Sequence, residues 1–148
     1  MGNRAVIMSD NDRNGLGVYV HWNGGRDCIE GFLAYCDAKG YRAPDTDNYG
    51  WARLCQVIGN FFGGTLSVGI DVGRNLDRDN GDNGTYYIKG WKVVGREFFK
   101  GSEPHGIVSK EDLEYLNGRM PEHDRLTDEE INRYVAEKLP KYNEQGGN

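Results

Sequence analysis

Apolar positions along the chain follow two periods. Ala5-Val6-Ile7-Met8 is a short unbroken run, and in Gly17-Val18-Tyr19-Val20-His21-Trp22 the residues Val18, Val20 and Trp22 share one face while Tyr19 and His21 share the other. Both read as strands, and the turn chemistry of residues 9–15 between them predicts a hairpin. Leu66, Val68, Ile70 and Val72 alternate with polar or small residues and predict a third strand. Thr85–Lys89 and Trp91–Val94 predict two more, with Gly90 marking a bulge or bend, and Glu97-Phe98-Phe99 ends the sheet.

The helical period appears in between and afterwards. Ile29, Phe32, Leu33 and Cys36 obey i, i+3, i+4, i+7, which predicts a helix over about 28–39 with Asp27 as its N-cap and Lys39-Gly40 as its stop. A second helix over about 49–62 buries Ala52, Cys55, Ile58 and Phe62 and ends at Gly63-Gly64. Ser109 with Asp112, and Thr127 with Glu130, are capping boxes that open two further helices. Ile131, Tyr134, Val135 and Leu139 form the one apolar stripe of the last helix, and Pro140 is expected to close it. The order ββααβββαα predicts an α+β fold: a mainly antiparallel sheet of about five strands, two helices inserted after the first hairpin, and a C-terminal helical extension.

Charge divides the chain at the same place. Residues 1–102 hold 12 basic and 12 acidic groups, 14 of the 17 aromatics and 18 of the 22 glycines, whereas residues 103–148 hold 6 basic and 11 acidic groups. The first part reads as an α+β core domain and the second as an acidic helical extension that supplies the whole net charge of −5. That balance is the reverse of a generic nucleic-acid binder. Mean hydropathy is −0.74, and no apolar run approaches the roughly 20 residues of a membrane span. Met1-Gly2-Asn3-Arg4 does not read as a signal peptide, so a cytoplasmic location is expected. Cys28, Cys36 and Cys55 then read as free thiols, without metal-ligand spacing.

Candidate chemistry concentrates in two stretches. In His21-Trp22-Asn23-Gly24-Gly25-Arg26-Asp27 a strand meets two glycines and a helix N-terminus. Free amides, the positive helix end and the Arg26 guanidinium would there form a phosphate socket, with Trp22 as a stacking surface. The competing arrangement is an ordinary corner in which Asp27 satisfies those amides. The second stretch joins Tyr41 and Arg42 to Tyr49, Trp51 and Arg53, a mixture that stacks bases and clamps phosphates, or else packs a core beneath solvated arginines. The acidic run at 77–84 fails the calcium-loop pattern in both registers and reads as a solvated hairpin loop turning at Asn83-Gly84. His21, His105 and His123 lie in no catalytic motif, so the chain is read as a non-enzyme without cofactor or metal.

The stretches Val20–Asp27, Tyr49–Gly64 and Asp79–Tyr86 resemble a group of short uncharacterised proteins of bacterial phages and mobile elements, over roughly residues 1–101. What the resemblance implies is a setting, counter-defence inside a bacterial host cell, and no catalytic residue. Two functions follow. One is sequestration of a phosphate-containing, nucleotide-derived small molecule, cyclic or linear, by Trp22, Asn23, Gly24, Gly25, Arg26, Tyr41, Arg42, Trp51 and Arg53, with a pocket at a subunit interface of a homo-oligomer as one form. The other is an acidic inhibitor that blocks the basic nucleic-acid-binding surface of a host defence protein such as a CRISPR effector.

Overall fold

Alternation along the strands sorts their side chains onto the two faces of one sheet. The computed structural model describes residues 2–10, 14–45, 47–64, 66–101, 103 and 106–144. His105 and parts of the expected turn at 9–15 and the C-terminal end lie outside them. The strands are β1 (Ala5–Ser9), β2 (Leu16–Val20), β3 (Val68–Val72), β4 (Thr85–Lys89) and β5 (Lys92–Glu97). They lie in the order β3-β2-β1-β4-β5. β1–β2, β2–β3 and β4–β5 pair antiparallel and β1–β4 parallel, so the α+β fold holds with a mixed sheet.

One face carries Ala5, Ile7, Val18, Val20, Tyr86, Ile88 and Val93 into the main core beneath α1 (Arg26–Ala38) and α2 (Asn48–Phe62). The other face carries Val6, Met8, Tyr87 and, half-buried, Tyr19. Because β4 lies beyond β1 rather than beside β3, residues 73–84 cannot be the loop of a hairpin. They link two strands that do not pair, and they are not simply solvated. Leu76 packs with Met8 and Tyr87, Arg78 donates to the Tyr87 hydroxyl at 2.7 Å, and Arg4 pairs with Asp82 at 2.7 Å. Asn80 is buried, its Oδ1 accepting the amides of Asp82, Asn83 and Gly84. Gly84 sits at φ +64°, where a Cβ would lie 2.3 Å from the Glu97 carbonyl oxygen, so only glycine fits.

The extension belongs to the same core. It forms α3 (Lys110–Arg119), α4 (Asp128–Glu137) and α5 (Leu139–Asn143), and both predicted capping boxes are present. Leu113, Leu116, Met120, Leu126, Ile131, Tyr134, Leu139 and Tyr142 join the cluster under α1. Three phenols tie it down: Tyr35 donates to Asn117 Oδ1 (2.6 Å), Tyr134 to Asp37 Oδ2 (2.7 Å) and Tyr142 to the Trp91 carbonyl (2.5 Å). Pro140 does not end the helical path. Backbone geometry breaks at Lys138, and the chain makes one more turn with Pro140 in its first positions, where a missing N–H costs nothing. None of the described helices is long and apolar enough to cross a membrane.

Candidate functional site

The corner between β2 and α1 is built differently from the expected socket. Asn23 takes the left-handed conformation, at φ +59°, and turns the chain off the sheet. The Gly24 amide then donates to the Asn3 carbonyl at 2.8 Å, and the Gly24 carbonyl accepts the Tyr86 hydroxyl at 2.7 Å. A Cβ on Gly24 would meet the Asn3 oxygen at 2.5 Å, so the glycine is there to let the N-terminal segment close over the corner. The helix begins at Arg26, two residues early, with Gly25 as an N-cap that offers no side chain. Asp27 is therefore in the first turn, where its Oδ1 accepts the Cys28 amide at 2.9 Å. Arg26 is 9% exposed and its Nε pairs with Glu30 Oε2 at 3.1 Å, one turn along the same helix, with Glu30 4% exposed. The guanidinium expected to meet a phosphate is an internal ion-pair partner instead.

The nine expected binding residues fall into two groups at opposite ends of α1. Its 13 residues span about 20 Å, so Trp22–Arg26 and Tyr41–Arg53 do not clamp one small ligand. Trp22 is about half exposed, edge-on to His21. At the far end the Tyr41 carbonyl accepts the Trp91 indole N–H, and burial pushes the Tyr41 phenol up. Arg42 pairs with Asp47 at 3.0 Å and lies over the Tyr49 ring at 4.7 Å. Trp51 is buried in the core and Arg53 is half-buried on the same helix. The arrangement is the packed alternative for Trp51, with Arg42 held by Asp47 and Tyr49, whereas the buried Arg53 Nε has no hydrogen-bond partner among the described residues.

A different site opens where α1 begins. Asn23, Asp27, Cys28, Gly31 and Phe32 form one wall, Phe61 from the end of α2 another, and Asp112, Tyr115 and Leu116 of α3 the third, around a cavity of about 170 Å³. Asp112, Tyr115 and Leu116 share one face of α3 because they stand at i, i+3 and i+4. Phe61 packs edge-on against both Phe32 (5.2 Å) and Tyr115 (6.0 Å), making a continuous aromatic wall. Asp27 and Asp112 are exposed at the mouth, each accepting a backbone amide, and neither has a basic partner among the described residues. Burial pushes the Cys28 thiol up, and both carboxylates add to that, so it stays protonated and is no ready nucleophile.

Two carboxylates above aromatic rings repel an anion and attract a cation with an apolar stem. Asp112, Phe61 and Tyr115 are absent from the residues picked out by sequence. The capping box located Asp112 at a helix start, yet its approach to Asp27, 85 positions away, has no local signal. Among the described residues no group of three or more His, Cys, Asp or Glu converges to hold a metal ion. No family model, no curated protein and no solved structure matches the chain.

Proposed function

We propose that the chain is a non-enzymatic binding protein that docks on a basic surface of another protein, in the manner of an inhibitor covering a nucleic-acid-binding face. The observation that carries this reading is the open cavity with Asp27 and Asp112 at its mouth, neither with a basic partner among the described residues, and Phe32, Phe61 and Tyr115 behind. It admits one arginine or lysine side chain, the stem against the rings and the charged head between the carboxylates. The exposed Glu111, Glu122, Asp128 and Glu129 of the extension add a field that steers a basic partner toward the same molecule. A nucleotide phosphate would meet the wrong charge here, and Arg26 is engaged by Glu30. The counter-defence setting implied by the resemblance makes a bacterial defence protein the natural class of target.

The test is fluorescence anisotropy with a labelled peptide of alternating arginine and glycine. Asp27→Asn combined with Asp112→Asn should weaken binding about tenfold, or ~1.4 kcal/mol, from two partly exposed ion pairs of roughly 0.2–1 kcal/mol each. Glu122→Gln with Glu129→Gln changes the net charge equally but should stay within about twofold, since those charges lie off the cavity and are screened. Equal affinity in the cavity variant, or tighter binding of ATP or a cyclic dinucleotide than of the peptide, would overturn the reading.

A further inference from the structure

The two edges of the sheet are finished differently. β5, at one edge, carries Lys92, Arg96 and Glu97, and pairing skips Val94, which bulges out between Val93 and Gly95. Charges and a bulge are the usual means of keeping an edge from pairing further. β3, at the other edge, is Val68-Gly69-Ile70-Asp71-Val72, with one charge, no proline and no bulge.

The phase of its free edge follows from the hydrogen bonding. The His21 amide donates to the Ser67 carbonyl at 2.9 Å, so residues 67, 69 and 71 turn their backbone groups toward β2. Val68, Ile70 and Val72 therefore turn theirs outward. The Val72 amide is taken by its neighbour's carboxylate, Asp71 Oδ1, at 2.6 Å. The Val68 and Ile70 amides and all three carbonyls have no backbone partner among the described residues and face the open side. Ile70 is 55% exposed, beside Leu16 at 37%, and Leu66 just before the strand is fully exposed.

We infer that β3 pairs antiparallel with β3 of a second copy of this chain, about a two-fold axis at Ile70, to make one continuous ten-stranded sheet. The strand is complementary to itself in that register. Ile70 meets Ile70, Val68 meets Val72 on the same face, and Asp71 meets Gly69, whose missing side chain leaves the carboxylate unopposed. The two Ile70 residues exchange both backbone bonds, and each Val68 amide finds the partner's Val72 carbonyl. Moving the axis to Asp71 would set two carboxylates opposite each other and use the occupied Val72 amide, so that register is excluded by charge. An isologous contact of this kind closes at two copies, and the blunted β5 edge stops the sheet from growing. The inference is independent of the cavity at the start of α1.

Sedimentation or light scattering across a concentration series tests it. The full chain should move from 16.7 kDa toward twice that mass, and Ile70→Lys should abolish the shift while leaving the far-ultraviolet circular dichroism unchanged. A second variant, Ile70→Cys, places two sulfurs across the axis at the roughly 5.5 Å Cα separation that a disulfide tolerates. It should give an oxidised dimer, whereas Val94→Cys on the other edge should not. A chain monomeric at all concentrations, a dimer that persists in Ile70→Lys, or cross-linking by Val94→Cys in place of Ile70→Cys would each overturn the inference.

Discussion

Replacing Arg26 by methionine is expected to damage the fold itself. The Arg26–Glu30 pair is almost fully enclosed, at 9% and 4% exposure, with Nε and Oε2 3.1 Å apart. Removing the guanidinium leaves the Glu30 carboxylate charged in a place where water does not reach, and breaking such a pair costs about 3–5 kcal/mol. In a chain of this length each kcal/mol lowers Tm by roughly 2–4 °C, so Arg26→Met should melt about 6–20 °C below the parent. Glu30→Met takes the paired carboxylate away from the buried guanidinium and should cost a similar amount. The double variant removes both charges and keeps the volume, so it should recover most of the loss, because well-packed apolar replacements of buried pairs are often neutral. Equilibrium urea unfolding followed by circular dichroism measures all three. Were Arg26→Met within ~0.5 kcal/mol of the parent, the ordinary range for surface substitutions, Arg26 would be a solvent-facing side chain, free for a ligand after all.

Alkaline pH should unfold the protein through its buried phenols. Burial pushes Tyr35, Tyr86, Tyr134 and Tyr142 up, and the Asp37 carboxylate adds to this at Tyr134. The folded state therefore holds these protons more tightly, so the stability they contribute is complete below the ordinary phenol value near 10 and is lost as pH rises above it. Phenolate absorbance from the four should appear together with loss of circular dichroism; their ionisation in a still-folded protein would contradict the burial assigned to them. Ending the chain at residue 102 should abolish cooperative unfolding. Nine buried apolar side chains from Val108 to Tyr142 would be lost, and about 1.5 kcal/mol for each sums to ~13 kcal/mol, near the top of the range of roughly 5–15 kcal/mol by which domains are stable. A cooperative transition in the shortened chain would show that the extension is dispensable.

Legibility in the sequence stopped where contacts became long-range. Period-two alternation located β2 and β3, and short apolar or aromatic runs located β1, β4 and β5, to within a few residues. The i, i+3, i+4 stripes located α1 and α2, although α2 buries Trp51, Leu54, Val57 and Ile58, with Ala52 exposed and Cys55 and Phe62 half-buried. The two capping boxes were readable because every partner lies within three residues. The parallel β1–β4 pairing was not readable, since its register, Ile7 opposite Tyr86, is written in no local pattern. The same limit explains Arg26. Glu30 at i+4 was visible as a neighbour, but its burial depends on how α1 seats against the sheet and the extension. Gly24-Gly25 looked like an opening for a ligand, and the ligand-like group that fills it is the chain's own Asn3 carbonyl.

The claim on which the functional account rests is that the cavity between the starts of α1 and α3 accepts a cation with an apolar stem. Amide NMR of the full chain titrated with N-acetyl-arginine amide tests it at single-residue resolution. Shifts should concentrate at Asn23, Cys28, Gly31 and Tyr115 and be absent when Asp27 and Asp112 are both asparagine. Shifts that cluster away from these residues, or that persist unchanged in the double variant, would contradict it.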